Sequence, residues 1–342
     1  MALSFTSEYS PLVSVIIPVR NGAATIQTCL VSIKRSYYKN IEVIVVDDHS
    51  TDSTREIARQ FEINLLEVGE GKGANNARNF GASHAQGDIF IFIDSDIVIR
   101  RETILGIVES LSEEGLDAVV GIYTAQHRHE NLVSQYKNLW VRYSYIKSLP
   151  EIDWLFGAIS GIKRAAFQQL GGFNVELLAV HGHDDIELGK RFSKAKLNIH
   201  LNMDIEVEHL KRYTLASFIR NEYHRSEGFA ELATQLGETR GSVKRGFVNV
   251  YPSFVISTLF VVLLFVALIS AVLGFISYEY LLPLMGVYIL LNIRFLNYLE
   301  QVRGLFAMIV MTPFLLVDHL VCFVGSVAGI LKGFSRKESE LR

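Results

Sequence analysis

The sequence is poor in cysteine and has no large excess of charge of either sign. Its two cysteines, Cys29 and Cys322, stand far apart among 342 residues, which excludes both a disulfide framework and a cysteine-based metal site. We expect both to be buried, small apolar residues in a reducing compartment. The formal net charge is −3 at pH 7, which excludes the strongly basic surface typical of nucleic-acid-binding proteins. We therefore expect no nucleic-acid partner.

Two further signals are missing near the amino terminus. Neither a long apolar run nor a basic stretch precedes Pro11, so the sequence predicts no secretory signal and a cytoplasmic location for the polar part of the chain. After the first apolar run, residues 18–23 (PVRNGA) contain a single glycine. A Rossmann oxidoreductase requires Gly-x-Gly-x-x-Gly at this place, and that class is therefore excluded.

Apolar residues concentrate in the last third of the chain. No charged residue occurs from Phe247 to Tyr278, a run long enough to cross a bilayer. A second apolar run covers 281–291, and a third, 304–331, contains Asp318 and His319 near its middle. These two side chains are costly against lipid, so we expect them to face another helix or the membrane surface. The sequence predicts two or three transmembrane helices.

Basic residues flank these runs and bear on the number of crossings. Lys244 and Arg245 precede the first run, and the tail at 333–342 is basic. Because basic residues favour the cytoplasmic side, both flanks belong there and the number of crossings should be even. Two crossings with the middle run partly interfacial satisfy this rule, whereas three independent crossings do not. Arg294 and Arg303 also favour that side, which argues that the middle run crosses. The prediction is a multi-pass protein of the plasma membrane whose polar part is cytoplasmic.

The first 125 residues or so alternate short apolar runs with polar stretches of helical length. Runs rich in Val and Ile with this spacing are typical of buried parallel strands in βαβ units. The predicted strands are Val13–Val19, Val43–Val46, Leu65–Val68, Ile89–Ile93 and Ala118–Tyr123. The sequence therefore predicts an α/β domain with a mostly parallel sheet flanked by helices.

An acidic pair, Asp94-Ser95-Asp96, directly follows the predicted strand Ile89–Ile93. Ligands bind at the carboxyl ends of strands in open parallel sheets. Two carboxylates at such a place suit a hard divalent cation, Mn²⁺ or Mg²⁺, which also takes oxygens from a diphosphate. An isolated Asp-x-Asp is more typical of a turn or a helix cap. Its position after a strand favours the metal site.

A second acidic pair, Asp47-Asp48, ends the predicted strand Val43–Val46 and is followed by hydroxyl side chains. These groups can accept hydrogen bonds from a nucleobase and a ribose. Asp52 or Ser53, in the same segment, can cap the helix that begins near Thr54, and capping is the role that we expect for Asp52. A glycine-rich segment at 71–79 (GKGANNARN) comes next. Its backbone and cations suit a diphosphate.

Four of these segments occur in an order that resembles glycosyltransferase family 2. They are Val13–Asn21, Val46–Asp52, Ala77–Asn79 and Asp94–Asp96. The resemblance implies the GT-A fold, a nucleotide-binding α/β layer with an attached acceptor half, and a nucleotide-sugar donor. The predicted donor-binding residues are Pro18, Arg20, Asn21, Asp47, Asp48, Lys72, Arg78, Asp94, Ser95 and Asp96. Asp94 and Asp96 are the predicted metal ligands.

The resemblance continues on the acceptor side. Residues 157–173 are similar to the family's acceptor segment, and Gly161 and Asp184 are predicted to lie there. The family's acidic acceptor motif is matched by 183–188 (HDDIEL), which implies that Asp185 is the general base in a single displacement with inversion at the anomeric carbon. A carboxylate in that role takes the proton of a hydroxyl acceptor. Asp184 also suits a helix N-terminus.

His209 ends a strand-like run over 199–208. In GT-A enzymes a histidine near this place sometimes completes the metal site, so the resemblance implies a third ligand, although an isolated histidine is more often structural.

Processive synthases of the family carry Gln-x-x-Arg-Trp on an interfacial helix. The corresponding segment, Arg220 to Arg225, lacks that motif, and the spans are too few for a channel. Addition of a single sugar is predicted.

Two amphipathic segments stand next to the predicted membrane region. The first, 131–146, is typical of a core helix or of a wall of the acceptor site. The second, 214–236, has an apolar stripe with basic flanks and is typical of an interfacial helix or of a soluble surface helix. Arg220 and Arg225 on the second segment are predicted to reach the donor diphosphate or lipid headgroups.

The predicted organisation is a GT-A catalytic domain at 1–212, interfacial helices at 213–246, a transmembrane region at 247–332 and a basic cytoplasmic tail at 333–342. The predicted reaction moves a sugar from a nucleotide diphosphate, with uridine as the favoured base, to a lipid-linked or membrane glycan hydroxyl. One alternative is a polyprenyl-phosphate glycosyltransferase, which needs no base. Another is an inactive membrane-bound nucleotide-binding scaffold. No residue identifies the sugar or the oligomeric state.

Overall fold

A computed structural model of the chain describes residues 10–69, 73–147, 151–175, 184–235, 237 and 252–340. These residues form two compact units. The first contains 10–126, 151–175 and 184–211, and the second contains 127–147, 212–235 and 252–340. The amphipathic segment predicted at 131–146 thus belongs to the same unit as the apolar helices.

The secondary structure follows the predicted alternation. The strands are β1 (Val13–Val19), β2 (Ile41–Asp47), β3 (Asn64–Glu67), β4 (Ile89–Ile93), β5 (Ile97–Ile99), β6 (Ala118–Tyr123), β7 (Glu151–Ile152), β8 (Ile159–Lys163) and β9 (Ile199–His209). The helices of the first unit are α1 (Ile26–Lys34), α2 (Thr54–Ala58), α3 (Ala74–His84), α4 (Thr103–Ser112), α6 (Arg164–Gln169) and α7 (Asp184–Lys194). The helices of the second unit are α5 (Leu132–Ile146), α8 (Leu215–Gln235), α9 (Pro252–Val272), α10 (Leu281–Arg303) and α11 (Leu305–Glu340).

The strands of the first unit form one mixed sheet in the order β3-β2-β1-β4-β8-β6-β9-β5, and β7 pairs with β9. The first four strands in this order are parallel, as predicted. β8 then runs antiparallel to both β4 and β6, and β5 runs antiparallel to β9. Strands β1, β4 and β6 are buried along their whole length, as expected for apolar runs covered on both faces.

This topology positions the acidic segments. β1, β2 and β4 are neighbouring parallel strands, so their carboxyl ends meet at one edge of the sheet. Those ends carry residues 20–25, 48–53 and 94–96. The antiparallel pairing of β5 with β9 sets Ile97 opposite His209 and brings the end of β9 to the same edge. The edge therefore gathers side chains from four separate parts of the sequence.

The second unit is helical. Three of its described stretches are long and apolar enough to cross a membrane: Pro252–Val272, Tyr278–Arg303 and Leu305–Ser335. Asp318 and His319 are fully buried, and Tyr136 donates a hydrogen bond to Asp318 Oδ2 at 2.8 Å. The Tyr288 hydroxyl lies 2.6 Å from His319 Nδ1. Both residues thus face other helices, which is one of the two predicted locations.

Candidate active site

The loop after β4 carries Asp94, Ser95 and Asp96 and is held in place by β9. The Leu210 amide donates a hydrogen bond to the Asp96 carbonyl at 2.8 Å, directly after the residue pair Ile97 and His209. His209 Nε2 lies 3.2 Å from Asp96 Oδ2. Burial alone would raise the pKa of Asp96, but the hydrogen bond and charge of His209 outweigh it and lower that pKa. Asp96 is therefore held as a carboxylate.

The imidazole of His209 is fixed from its face as well as from its edge. Its ring stacks on Tyr123 at the end of β6, with the centroids 4.8 Å apart and the planes within 9°. Tyr123 in turn packs edge-on against Phe156, 5.0 Å away. Stacking from a buried aromatic ring limits rotation of the imidazole. Tyr123 therefore sets the orientation in which His209 meets Asp96.

Asp94 has a different partner. Arg78 Nη2 donates a hydrogen bond to Asp94 Oδ1 at 2.8 Å. The Arg78 side chain is only 7% exposed, and its guanidinium lies 5.4 Å from the centre of the Phe173 ring. The carboxylate of Asp94 remains 38% exposed and that of Asp96 remains 29% exposed. Both carboxylates are therefore partly exposed at the edge of the sheet.

The acidic end of β2 is more buried than the loop after β4. Asp47 accepts a hydrogen bond from the Ser50 amide at 3.0 Å, and Asp48 accepts one from the Gly73 amide at 3.1 Å. Asn21 adopts a left-handed conformation (φ 52°) and accepts a hydrogen bond from the Thr51 amide at 2.8 Å. These contacts tie the loops after β1 and β2 and the start of α3 together.

A small cavity opens between these loops. Its volume is about 220 Å³, and it is lined by Pro18, Val19, Arg20, Asp48, Ala74, Asp94, Ser95 and Asp96. Gly22 allows the loop after β1 to approach the acidic loop, because a Cβ there would lie 2.5 Å from Val19 Cγ2 and 3.3 Å from Ser95 Oγ. A larger cavity of about 510 Å³ includes Ile41, Glu42 and Val43 at the amino end of β2, away from these carboxylates.

Asp185 lies near Arg78, on the side of β8. It is the second residue of α7, and its Oδ2 accepts a hydrogen bond from the Gly157 amide at 2.8 Å. A Cβ on Gly157 would lie 3.3 Å from Arg78 Nη2 and 3.4 Å from Asp185 Oδ2. Gly157 thus occupies the short space between the guanidinium that holds Asp94 and the carboxylate of Asp185.

Comparison with known proteins identifies the family of this part of the chain. The model of Glycosyl transferase family 2 matches residues 14–171. This chain contains a glycosyl transferase family 2 domain. A second model, the N-terminal domain of galactosyltransferase, matches residues 142–216.

Curated relatives of the glycosyl transferase domain include two named glycosyltransferases. GlyG of Streptococcus pneumoniae is 34% identical over 119 residues, which are 33% of this chain and 40% of the relative. AglE of Haloferax volcanii is 40% identical over 118 residues, which are 32% of this chain and 39% of the relative. The chain thus spans about two fifths of the length of these relatives.

A solved structure resembles the chain over most of its length. It is the mannosyltransferase PcManGT from Pyrobaculum calidifontis in complex with GDP-Man and Mn²⁺. The match has a TM-score of 0.57 and 20% identity, and it covers 96% of this chain and 88% of the neighbour. The similarity shows the fold, so the predicted GT-A architecture is confirmed, with a mixed rather than mostly parallel sheet.

The remaining predicted residues of the glycosyl transferase domain lie at varied places. Pro18 is buried within β1 and Arg20 is exposed beside the cavity. Gly161 lies in the middle of β8, where a Cβ would be 2.3 Å from Ile107 Cγ2, so packing alone requires a glycine there. Asp52 accepts a hydrogen bond from the Thr54 amide at 3.1 Å, but the N-cap residue of α2 is Ser53, so Asp52 binds the start of the helix from the residue before the cap. Lys72 lies outside the described residues.

Three predicted acceptor-side residues lie on helices. Asp184 is the first residue of α7, and its side chain lies outside the described part. Arg220 is exposed on α8. Arg225, one turn further, lies with its Nε 3.9 Å from Glu222 Oε2 within the second unit. The Arg225 guanidinium is therefore engaged in an ion pair.

The structure also identifies residues that the sequence did not. Tyr123 contacts His209, and no local motif marks it. Gly157 begins the recognised acceptor segment, but its contact with Asp185 was not predicted. Asn79 lies within a recognised motif, but its contact is long-range: it accepts from the Phe173 amide at 2.9 Å and donates to the Phe173 carbonyl at 2.8 Å. Pairing across such sequence distances is visible only in the folded chain.

Proposed function

We propose that this chain transfers a sugar from a nucleotide diphosphate donor to an acceptor hydroxyl activated by Asp185. The observation that carries the proposal is the meeting of Asp94, Asp96 and His209 at the cavity edge, with Arg78 joining Asp94 to the surroundings of Asp185. The family of the domain and the fold support the same reaction class.

The proposed donor site lies at the ends of β1, β2 and β4. Asp48 and Arg20 line the cavity for the nucleoside, and Asp94 and Asp96 offer carboxylate oxygens beside it. Two half-exposed carboxylates with an imidazole suit a divalent cation. The nitrogen ligand favours Mn²⁺ over Mg²⁺, since Mg²⁺ takes mostly oxygen ligands. When bound, the cation would neutralise charge on the leaving diphosphate.

The proposed base is Asp185. Its position at the N-terminus of α7 and the hydrogen bond from Gly157 favour its negative charge. The carboxylate takes the proton of the acceptor hydroxyl while that oxygen bonds to the anomeric carbon. The bond between this carbon and the diphosphate oxygen breaks in the same step, and the nucleoside diphosphate leaves. Attack from the opposite face inverts the anomeric carbon.

The proposed acceptor is membrane-associated, and the proposed location is the cytoplasmic face of the plasma membrane. The three long apolar helices of the second unit support membrane association. Buried Tyr136 and Trp140 of α5 pack with Phe295 of α10, at centroid distances of 6.0 and 4.9 Å. These contacts make α5 part of the helical unit, which supports a lipid-linked acceptor.

The direct test is donor hydrolysis and transfer with a panel of uridine and guanosine diphosphate sugars in the presence of Mn²⁺ or Mg²⁺. We expect Asp96→Ala to lose metal-dependent turnover by at least two orders of magnitude, as removal of a charge-stabilising group does. Asp88→Ala is the matched control, because Asp88 is exposed before β4, at the other end of the same strand. Undiminished turnover in Asp96→Ala would refute the metal site. The preferred nucleotide tests the uridine prediction.

A further inference from the structure

Helix α11 is too long and too unevenly surrounded to be an ordinary transmembrane helix. Its 36 residues extend about 54 Å, whereas the hydrocarbon core of a bilayer is about 30 Å thick. By composition, Leu305–Ser335 qualifies as a membrane span. Its neighbours indicate a different location.

A charged helix covers one face of α11. Gly325, Gly329 and Gly333 lie against α8 so closely that a Cβ on any of them would clash, at 2.1 Å from Ser226 Oγ, 2.0 Å from Glu227 O and 2.7 Å from Thr234 Cβ. The two helices therefore run in parallel contact over this whole length.

α8 cannot lie in hydrocarbon, because it carries several ionisable side chains. Glu222, Glu227 and Glu231 are all buried, and Lys332 of α11 lies 2.7 Å from Glu227 Oε1. Charged side chains at the bilayer centre are costly. Since α8 accompanies α11 from about Asp318 to Gly333, this part of α11 must lie outside the hydrocarbon core.

The opposite face of α11 is apolar and exposed. The exposed large side chains are Leu305, Phe306, Ile309, Val324, Val327, Leu331 and Phe334, and Phe306 is 79% exposed. With 3.6 residues per turn, these positions all fall along one stripe of the helix. A helix with one polar-packed face and one apolar stripe is suited to lie in the plane of the membrane surface.

α9 and α10 differ from α11 in the side chains that surround and cover them. The exposed residues of α9 include Leu259, Leu263, Val266 and Ile269, so no polar face is present. The two helices are joined by Asn292 Nδ2, which donates to Ser257 Oγ at 3.0 Å. α10 is apolar up to Ile293, and exposed Arg294 then begins its polar end. Gly304 alone separates that end from α11.

We propose that α9 and α10 cross the membrane as a hairpin, and that α11 lies in the interface on the side where the hairpin begins and ends. The partner of the apolar stripe is the lipid surface, continuous with the lipid around the hairpin. Two crossings put the basic residues before α9 and those in the last turns of α11 on the same side, as their charge requires.

The test uses the full-length protein in vesicles of phosphatidylethanolamine and phosphatidylglycerol, with protease-cleavable tags at both ends. We expect both tags on the same side of the vesicle. Tags on opposite sides would overturn the proposal, because three crossings separate the two ends.

Spin labels provide a second measurement that does not depend on the tags. Labels at Ile309, Val324 and Leu331 should report one shallow depth and high oxygen accessibility. Labels at Leu259 and Val266 in α9 serve as controls, with a depth that changes by about 1.5 Å per residue. A similar gradient along α11 would overturn the proposal. So would oxygen-inaccessible labels with spin–spin broadening, since a second copy would then cover the stripe.

Discussion

The two units of this chain each bring carboxylates and cations together, with opposite results. In the first, Asp94 and Asp96 lie at a cavity with 38% and 29% of their side chains exposed. In the second, Glu222, Asp318 and Cys322 have ligand atoms within 4.8 Å of one another and are all buried. By residue type alone, the second group resembles a metal site as much as the first.

The surrounding charges distinguish them. Lys137 Nζ lies 2.5 Å from Glu222 Oε1, and Tyr136 donates to Asp318. Burial raises the pKa of Glu222, but the charges of Lys137 and Arg225 outweigh it and lower that pKa below its usual value. The negative charge of the second group is thus balanced by neighbouring cations of the same unit. Its contacts join α8 and α11 to α5, so we interpret it as a structural group. The first group retains exposed oxygens, and we interpret it as a ligand site.

The largest effect is expected from Asp185→Asn. The amide keeps the shape of the carboxylate but cannot take a proton. Transfer to a hydroxyl acceptor should fall by roughly 10²- to 10⁴-fold, with the dissociation constant for donor nearly unchanged. Radiolabelled sugar transfer and calorimetric donor binding measure the two quantities. Normal transfer to a hydroxyl acceptor would move the base elsewhere, whereas an ionised phosphate acceptor needs no base and should be unaffected by this substitution.

Lys137→Met should have the next largest effect, because it removes the closer of the two cations that compensate the buried charge of Glu222 and leaves only Arg225. The free energy of unfolding should fall by about 3–5 kcal/mol. Trp140, the tryptophan of the second unit, reports this unfolding by fluorescence in a Trp154→Phe background. The double variant Lys137→Met/Glu222→Leu should regain most of the loss. If the single variant were as stable as the parent, the internal neutralisation described for this group would be wrong.

Tyr123→Leu sharpens the description of the first group. The substitution removes the ring stacked on His209 but leaves all three proposed ligands, Asp94, Asp96 and His209, unchanged. Mn²⁺ affinity, measured by electron paramagnetic resonance without substrate turnover, should weaken about tenfold. Tyr123→Phe keeps the stacked ring and should bind Mn²⁺ like the parent. Equal loss in both variants would show that the hydroxyl, not the stacking, is what matters.

The smallest effect is expected on the stability of the fold at acidic pH. The folded pKa of Glu222 is lowered, and the unfolded value is about 4.3. Its ionised form therefore stabilises the fold above that value, and the contribution disappears as pH falls through the folded pKa. Glu222→Gln should flatten the acid limb of the stability curve reported by Trp140. An unchanged acid limb would show that another group controls it.

The sequence predicted those features that depend on local periodicity. β1, β4 and β6 begin and end at the predicted residues, because each is a continuous apolar run between polar segments. β8 and β5 were not predicted. β8 (ISGIK) contains Ser160 and Gly161, and β5 has only three residues, so neither has a distinctive period. Their antiparallel pairing makes the sheet mixed.

The residues of the candidate site likewise divide into those that local motifs predict and those whose contacts only the folded chain shows. The acidic loop and Asp185 stand in motifs and could be identified from the sequence. The contacts of Asp94 with Arg78, and of Tyr123 with His209, join residues that are distant along the chain. Such contacts follow from strand order, which a single sequence does not encode in any local pattern. The roles of Tyr123 and Gly157 were missed for this reason.

The glycine contact between α8 and α11 also bears on the synthesis of the chain. α8 leaves the ribosome well before Lys332, so Glu227 has no cationic partner on α11 until that helix has been made. Until then the carboxylates of α8 that later become buried remain in water. The second unit can therefore close only after α11 has been translated. A premature stop after Gly304 would leave α8 without its neighbour and expose the nascent protein to quality-control proteases.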